Sequence, residues 1–93
     1  MKKLILQAEK KCFICGSSGG LHHHEIMFGT ADRKKSIKYG LQLWLCGSHH
    51  NLGNYSPHHN KIVDLELKKY GQRKFEEVYG HDLWMKEFHK NYL

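Results

Sequence analysis

A chain of 93 residues, 40% hydrophobic and 26% charged, has the composition of one globular domain with a modest core, because so short a chain buries a limited share of its surface. Its three cysteines are an odd number, which argues against a secreted disulfide scaffold, and nine histidines are far more than ordinary usage supplies, so the two together point to metal. Fifteen Lys and Arg against nine Asp and Glu give a formal charge of +6 and a pI near 9.3, a balance that favours an anionic partner such as nucleic acid.

The opening MKKLILQAEKK is basic, but its apolar run is only Leu4, Ile5 and Leu6. That is too short for a signal-peptide core or a membrane span, so a soluble, cytoplasmic protein with no membrane partner is expected. No internal repeat or long linker occurs, and the chain reads as a single domain over residues 1–93.

Next comes CFICGSSGG. Two residues between Cys12 and Cys15 let a tight turn aim both sulfurs at one ion, and Gly16 stands where such a turn needs an unhindered backbone. GSSGG at 16–20 reads as a turn. The partner half-site is Cys46-x2-His49, with thirty residues between Cys15 and Cys46. Cys12, Cys15, Cys46 and His49 together would saturate a tetrahedral zinc ion and leave no open position, so this ion would hold the fold and perform no chemistry. The neighbouring His50 competes with His49 for the fourth place.

Between the half-sites lie LHHHEI, residues 21–26, and LQLWLC, residues 41–46. The second is short, apolar and bordered by glycine on each side, the signature of a strand. If zinc ties residue 15 to residue 46, the segment between must return on itself, most simply as a hairpin with His22–His24 in one arm and Leu41–Cys46 in the other. His22, His23 and His24 then lie near the stretch after Cys46, which carries His49, His50, His58 and His59. Adjacent strand residues point to opposite faces. One histidine of a neighbouring pair can therefore ligate a divalent ion while the other takes a proton from water.

The link TADRKKSIKYG, residues 30–40, contains Arg33, Lys34, Lys35 and Lys38. Read as a loop beside the histidines, it would hold DNA phosphates on either side of a scissile bond. From Pro57 the pattern becomes helical, with Ser56 as N-cap, Pro57 at the first helical position and a stripe of Ile62, Val63, Leu67, Tyr70 and Val78. Gly71 weakens its middle and Gly80 ends it. A last helix restarts with Asp82 in its first turn and Trp84 and Phe88 four apart, both expected in the core. Lys68, Lys69, Arg73 and Lys74 offer a second basic surface on the long helix.

Taken together, CFICG, HHHEI and LCGSHH resemble the HNH endonucleases of the ββα-metal (His-Me finger) group, in particular the small zinc-stapled kind common in phages and prophages. The resemblance covers Cys12 to Asn60. It implies an α+β, treble-clef-like ββα-metal domain, with the zinc and metal core over about 12–70 and a helical C-terminal extension over about 71–93. It further implies a metal-dependent nuclease that hydrolyses DNA phosphodiesters in a bacterial or phage-infected cell. Besides the structural zinc, the cofactor would be one divalent ion (Mg2+, Mn2+, Ni2+ or Zn2+). Carried over by position, His23 resembles the metal ligand of the pair, His24 the general base, and His50 the ligand after the half-site. His58 or His59 resembles the further helical ligand, with Asn54 another candidate. A homodimer would let both strands be cut. The chain departs from the family where Tyr39 and Gly40 stand in place of the asparagine that gives the motif its middle letter. The alternative from another class is a noncatalytic zinc-binding module that grips nucleic acid.

Overall fold

The computed structural model describes residues 3–52 and 56–93. It is a mixed α+β arrangement built around a two-stranded antiparallel sheet, β1 (Leu21–Glu25) and β2 (Gln42–Cys46). The expected hairpin is present. Its register pairs Leu21 with Cys46, His22 with Leu45, His23 with Trp44 and His24 with Leu43. In β2 the alternation of Leu43 and Leu45 with Gln42 and Trp44 divides the sheet into a buried and an outer face, since Leu43 and Leu45 are fully buried. The strand pairing therefore decides which histidines face inward.

The segment between the strands is a helix, α1 (Thr30–Tyr39), and the loop expected there is corrected accordingly. Its apolar residues make no helical stripe; only Ser36 and Tyr39 are buried. Tertiary contacts hold it in place. The Ser36 hydroxyl accepts from Met27 N–H at 3.0 Å and donates to Met27 C=O at 2.7 Å, tying the helix to the chain leaving β1. Gly40 ends it in the left-handed region, at φ 79°. A side chain at Gly40 would also collide with the N-terminal segment, because a Cβ there would stand 2.1 Å from the carbonyl oxygen of Leu4. Leu4 N–H donates to Tyr39 C=O at 2.9 Å, and the Gln7 side chain accepts from Trp44 N–H at 2.6 Å, so the N-terminal segment is laid along the hairpin.

The long helix α2 spans Lys61–Tyr79. Its N-cap is Asn60, whose side-chain oxygen accepts from the N–H groups of Ile62 and Val63. Ser56 and Pro57 stand in the turn before it, so the cap expected at Ser56 shifts by four residues. The inward face is Leu67, Gly71, Gln72 and Phe75, flanked by Val63 and Tyr70. Ile62 and Val78, placed in the stripe by sequence, are exposed. Gly71 is there for closeness: an added Cβ would meet Ile26 at 3.1 and 3.2 Å. Gly80 separates α2 from α3 (His81–Phe88), whose Trp84 and Phe88 enter the core as expected and pack on each other at 4.4 Å and on Phe75. Buried Gln72 donates to Asn91 and accepts from Tyr92 N–H, fastening the C-terminal residues to α2. Among the described residues no helix is long and apolar enough to cross a membrane.

Candidate metal centres

Two clusters of Cys and His side chains that could hold a metal ion form beside the hairpin. The first is built on the turn at Cys12–Gly16. Gly16 has φ 78° and donates its N–H to Cys12 C=O at 2.8 Å, closing the turn so that Cys12 and Cys15 point the same way. Phe13 N–H donates to Trp44 C=O, which brings this turn against β2. Cys46 closes β2, and His49 comes just after it in a π-helical turn, Ser48–Leu52; such turns are frequent at functional sites.

All four ligand atoms of Cys12, Cys15, Cys46 and His49 lie within 4.8 Å of one another. Cys15 Sγ to Cys46 Sγ is 3.7 Å, Cys12 Sγ to His49 Nδ1 3.7 Å, and Cys46 Sγ to His49 Nδ1 3.2 Å. Bonds of about 2.3 Å to sulfur and 2.0–2.1 Å to nitrogen at tetrahedral angles require edges of about 3.8 Å (S–S) and 3.6 Å (S–N). The donor set and its spacing thus fit zinc. Burial raises the Cys12 pKa, but hydrogen bonds from the backbone at Cys46, Cys15 and Ile14 outweigh it and bring the thiol down to about 6, so a thiolate is available at neutral pH. Cys15 moves the other way: a backbone hydrogen bond at Ser17 lowers it, and the crowded sulfurs of Cys12 and Cys46 together with burial more than offset this.

The second cluster is His24, His50 and His58, whose ring nitrogens also converge within 4.8 Å. His50 Nε2 and His58 Nε2 are 3.4 Å apart, matching the edge of about 3.4 Å for two nitrogens tetrahedrally bonded at about 2.1 Å. His24 is 1% exposed, and its Nε2 is buried without a hydrogen-bond partner. Such an atom is costly unless something binds it. Burial first, then the fields of His58, His50 and Lys68, push the His24 pKa down to about 3. His50 is lowered by burial and by His58 and His22, against an opposing pull from Glu25. Both rings keep free lone pairs at neutral pH, the form a metal ion needs.

These positions differ from the division expected within the histidine triplet. His23 pairs with Trp44 in the sheet and stacks on its indole at 4.0 Å and 14°; it borders the hollow at the cluster but is not one of the three converging histidines. His24 is the member of the triplet that converges with His50 and His58. His22 lies on the other side of His23 and reaches the same cluster from its rim, with its Nδ1 3.0 Å from His50 Nδ1. A ligand imidazole commonly donates its second N–H in this way, which fixes its tautomer. Sequence reading missed this role for His22. The clue was present in β2, where Leu43 and Leu45 alternate with Trp44 and so set the parity of whatever pairs with them. His59 is not one of the three converging histidines, and Asn54 lies outside the described residues. Tyr39 packs among Phe75, Tyr79 and Phe88, and Gly40 makes room for Leu4, so both serve the fold.

The four basic residues of α1 part company because a helix sends them to different sides. Arg33 Nε donates to Glu25 Oε1 at 3.0 Å beside the histidines. Lys34 lines the neighbouring cleft together with Phe28, Gly29, Thr30, Arg33 and His58. Lys35 donates to Glu87 C=O, and Lys38 lies over Tyr39. Arg33 and Lys34 thus share one cleft, whose lining does not include Lys35 or Lys38. On α2, Lys68, Lys69 and Lys74 pair with Asp64, Glu66 and Glu77, which reduces that surface's hold on an anion. No known protein family, curated protein or solved structure matches the chain.

Proposed function

We propose that the chain is a metal-dependent endonuclease of the HNH, ββα-metal kind that hydrolyses DNA phosphodiesters, with a zinc ion in the Cys12, Cys15, Cys46 and His49 cluster. The observation that carries this reading is the second cluster. A buried, unpartnered His24 nitrogen converges with His50, which follows His49 of the four-ligand cysteine and histidine cluster, and with His58, beside basic side chains. A noncatalytic zinc module accounts for the first cluster and the charge but gives no reason for the second.

In this reading His24, His50 and His58 hold one divalent ion, and His22 orients His50. A three-histidine site leaves coordination positions open. An ion bound there would supply positive charge at the scissile phosphate and would offset the charge that develops on the leaving 3′ oxygen. Arg33, kept in place by Glu25, and Lys34 receive the flanking phosphates. His58 stands ahead of α2, so its position depends on the turn before Asn60 and not on the helical ladder.

The test is nicking of supercoiled plasmid with Mg2+, Mn2+, Ni2+ or no added metal, run with wild type and His50→Ala. Metal-dependent nicking that disappears in His50→Ala while one zinc per chain remains is the expected outcome. DNA binding without cleavage under every metal would instead favour the noncatalytic module.

A further inference from the structure

Beside the histidine cluster, the chain turns out of β1 and into α1 at Phe28 and Gly29. Gly29 has φ 100°, a conformation suited to glycine, and α1 begins there with no side chain capping it. Phe28 is 38% exposed. Its ring centroid is 5.0 Å from that of His58 and 6.0 Å from that of His24, and Lys68 Nζ stands 4.5 Å over it. Arg33 and Lys34 line the same cleft, whose volume is about 560 Å3. A second hollow, lined by His23, His24, Glu25, Arg33, His50 and His58, shares Phe28 and runs into the histidine cluster. Asp32, the acidic residue of the first turn, lines neither.

An exposed aromatic ring is an odd neighbour for histidines and cations if phosphate contact is the whole purpose of the surface. It is the right neighbour for a base. Single-stranded nucleic acids are gripped by aromatic rings that stack on bases within a positively charged groove. In a duplex the faces of each base are covered by its neighbours, so a protein ring can stack only on a base that has left the helix. The helix N-terminus and the two cations stand where the attached phosphate would sit, since N-terminal N–H groups and arginine both favour anions. His24, whose Nε2 has no hydrogen-bond partner, lines with Phe28 the hollow that adjoins this cleft.

We infer that this cleft takes an unpaired nucleotide, its base stacked on Phe28 and its phosphate between Arg33, Lys34 and the histidine cluster, so that single-stranded nucleic acid is the preferred substrate. The inference rests on the nuclease reading for its reaction, but not for its binding geometry.

Fluorescence anisotropy with labelled single-stranded DNA, single-stranded RNA and duplex DNA of equal length would test it, using zinc-loaded protein and no second metal. Wild type should bind single strands more tightly than duplex. Phe28→Ala and Phe28→Leu should each lose roughly 5- to 150-fold in single-strand affinity, the range for one lost base stack, with duplex affinity unchanged. Phe28→Trp should restore binding. Leucine keeps apolar bulk without an aromatic face, so its failure separates stacking from folding, and cooperative melting of each variant is checked alongside. Preference for only one of the two single strands identifies the sugar and supports the inference. Duplex preference in wild type, or wild-type single-strand binding by Phe28→Leu, would overturn it. Metal-dependent nicking that persists beside that result leaves the nuclease reading intact. Phe28-dependent single-strand binding without any cleavage removes the nuclease reading alone.

Discussion

Replacing His22 with alanine separates the ion-binding geometry of the second cluster from the arrangement expected from the triplet alone. His50 has two partners: its Nε2 is 3.4 Å from His58 Nε2, and its Nδ1 is 3.0 Å from His22 Nδ1. An imidazole that gives one nitrogen's lone pair to an ion carries its proton on the other, so with an ion at Nε2 the His50 Nδ1–H would donate to His22. Without His22 that proton falls back on water and the ring gains freedom to turn. Loss of an outer-shell partner typically weakens a metal site by about 10- to 100-fold, or about 1.4–2.7 kcal/mol. His22 is exposed, and a hydrogen bond at a wet rim contributes toward the low end, so about tenfold is expected. The assay is calorimetric titration of Zn2+ into protein that already carries one zinc per chain. His22→Ala should bind the second ion about tenfold more weakly with unchanged stoichiometry, whereas His23→Ala, which removes a ring from the outer face, should match wild type. Unchanged affinity in His22→Ala together with weakened binding in His23→Ala would refute this assignment of the triplet.

Three further outcomes are expected from the packing. Cys46→Ser breaks the first cluster, and because structural zinc supplies on the order of 10 kcal/mol in small domains, comparable to a whole domain's stability, the variant should contain no zinc and show no cooperative melt; a wild-type melt would exclude the staple. Gly71→Ala gains about 1 kcal/mol of helix propensity but drives a methyl to 3.1 Å from buried Ile26, where overpacking costs about 1–3 kcal/mol. A net loss of about 1 kcal/mol in urea unfolding is expected, and a stabilised variant would show that Ile26 yields freely. The double change Arg33→Ala and Lys34→Ala should weaken DNA binding and flatten its salt dependence, while Lys35→Ala with Lys38→Ala should do neither; equal effects from the two pairs would mean that the helix does not sort these charges.

The parts of the fold visible in the sequence are those written in local chemistry. Cys-x2-Cys with Gly16, and Cys-x2-His after an apolar strand, specify a ligand cluster because each pair is aimed by its own turn. Gly80, Asp82, Trp84 and Phe88 likewise mark α3 by local means. The helix α1 was not visible because its place is set by Ser36 and Met27, a contact with no periodic trace. The N-cap of α2 moved from Ser56 to Asn60 because both residue types can cap, and only the buried turn at Ser56 and Pro57 decides between them. The division of labour among His22, His23 and His24 depends on strand register, which three identical neighbours cannot announce. Phe28 escaped notice because a lone aromatic after a strand reads as core until its exposure is known.

His49 and His50 are consecutive in one π-helical turn, yet their rings go to different clusters. Backbone that is fixed at one is fixed at the other. Two ions held on this shared turn would be thermodynamically linked: whatever factor the first gives to the affinity of the second, the second returns to the first. Partial loss of metal from the cysteine-rich cluster would then lower its neighbour's affinity as well, and the chain would behave as one heterotropic unit answering to metal supply.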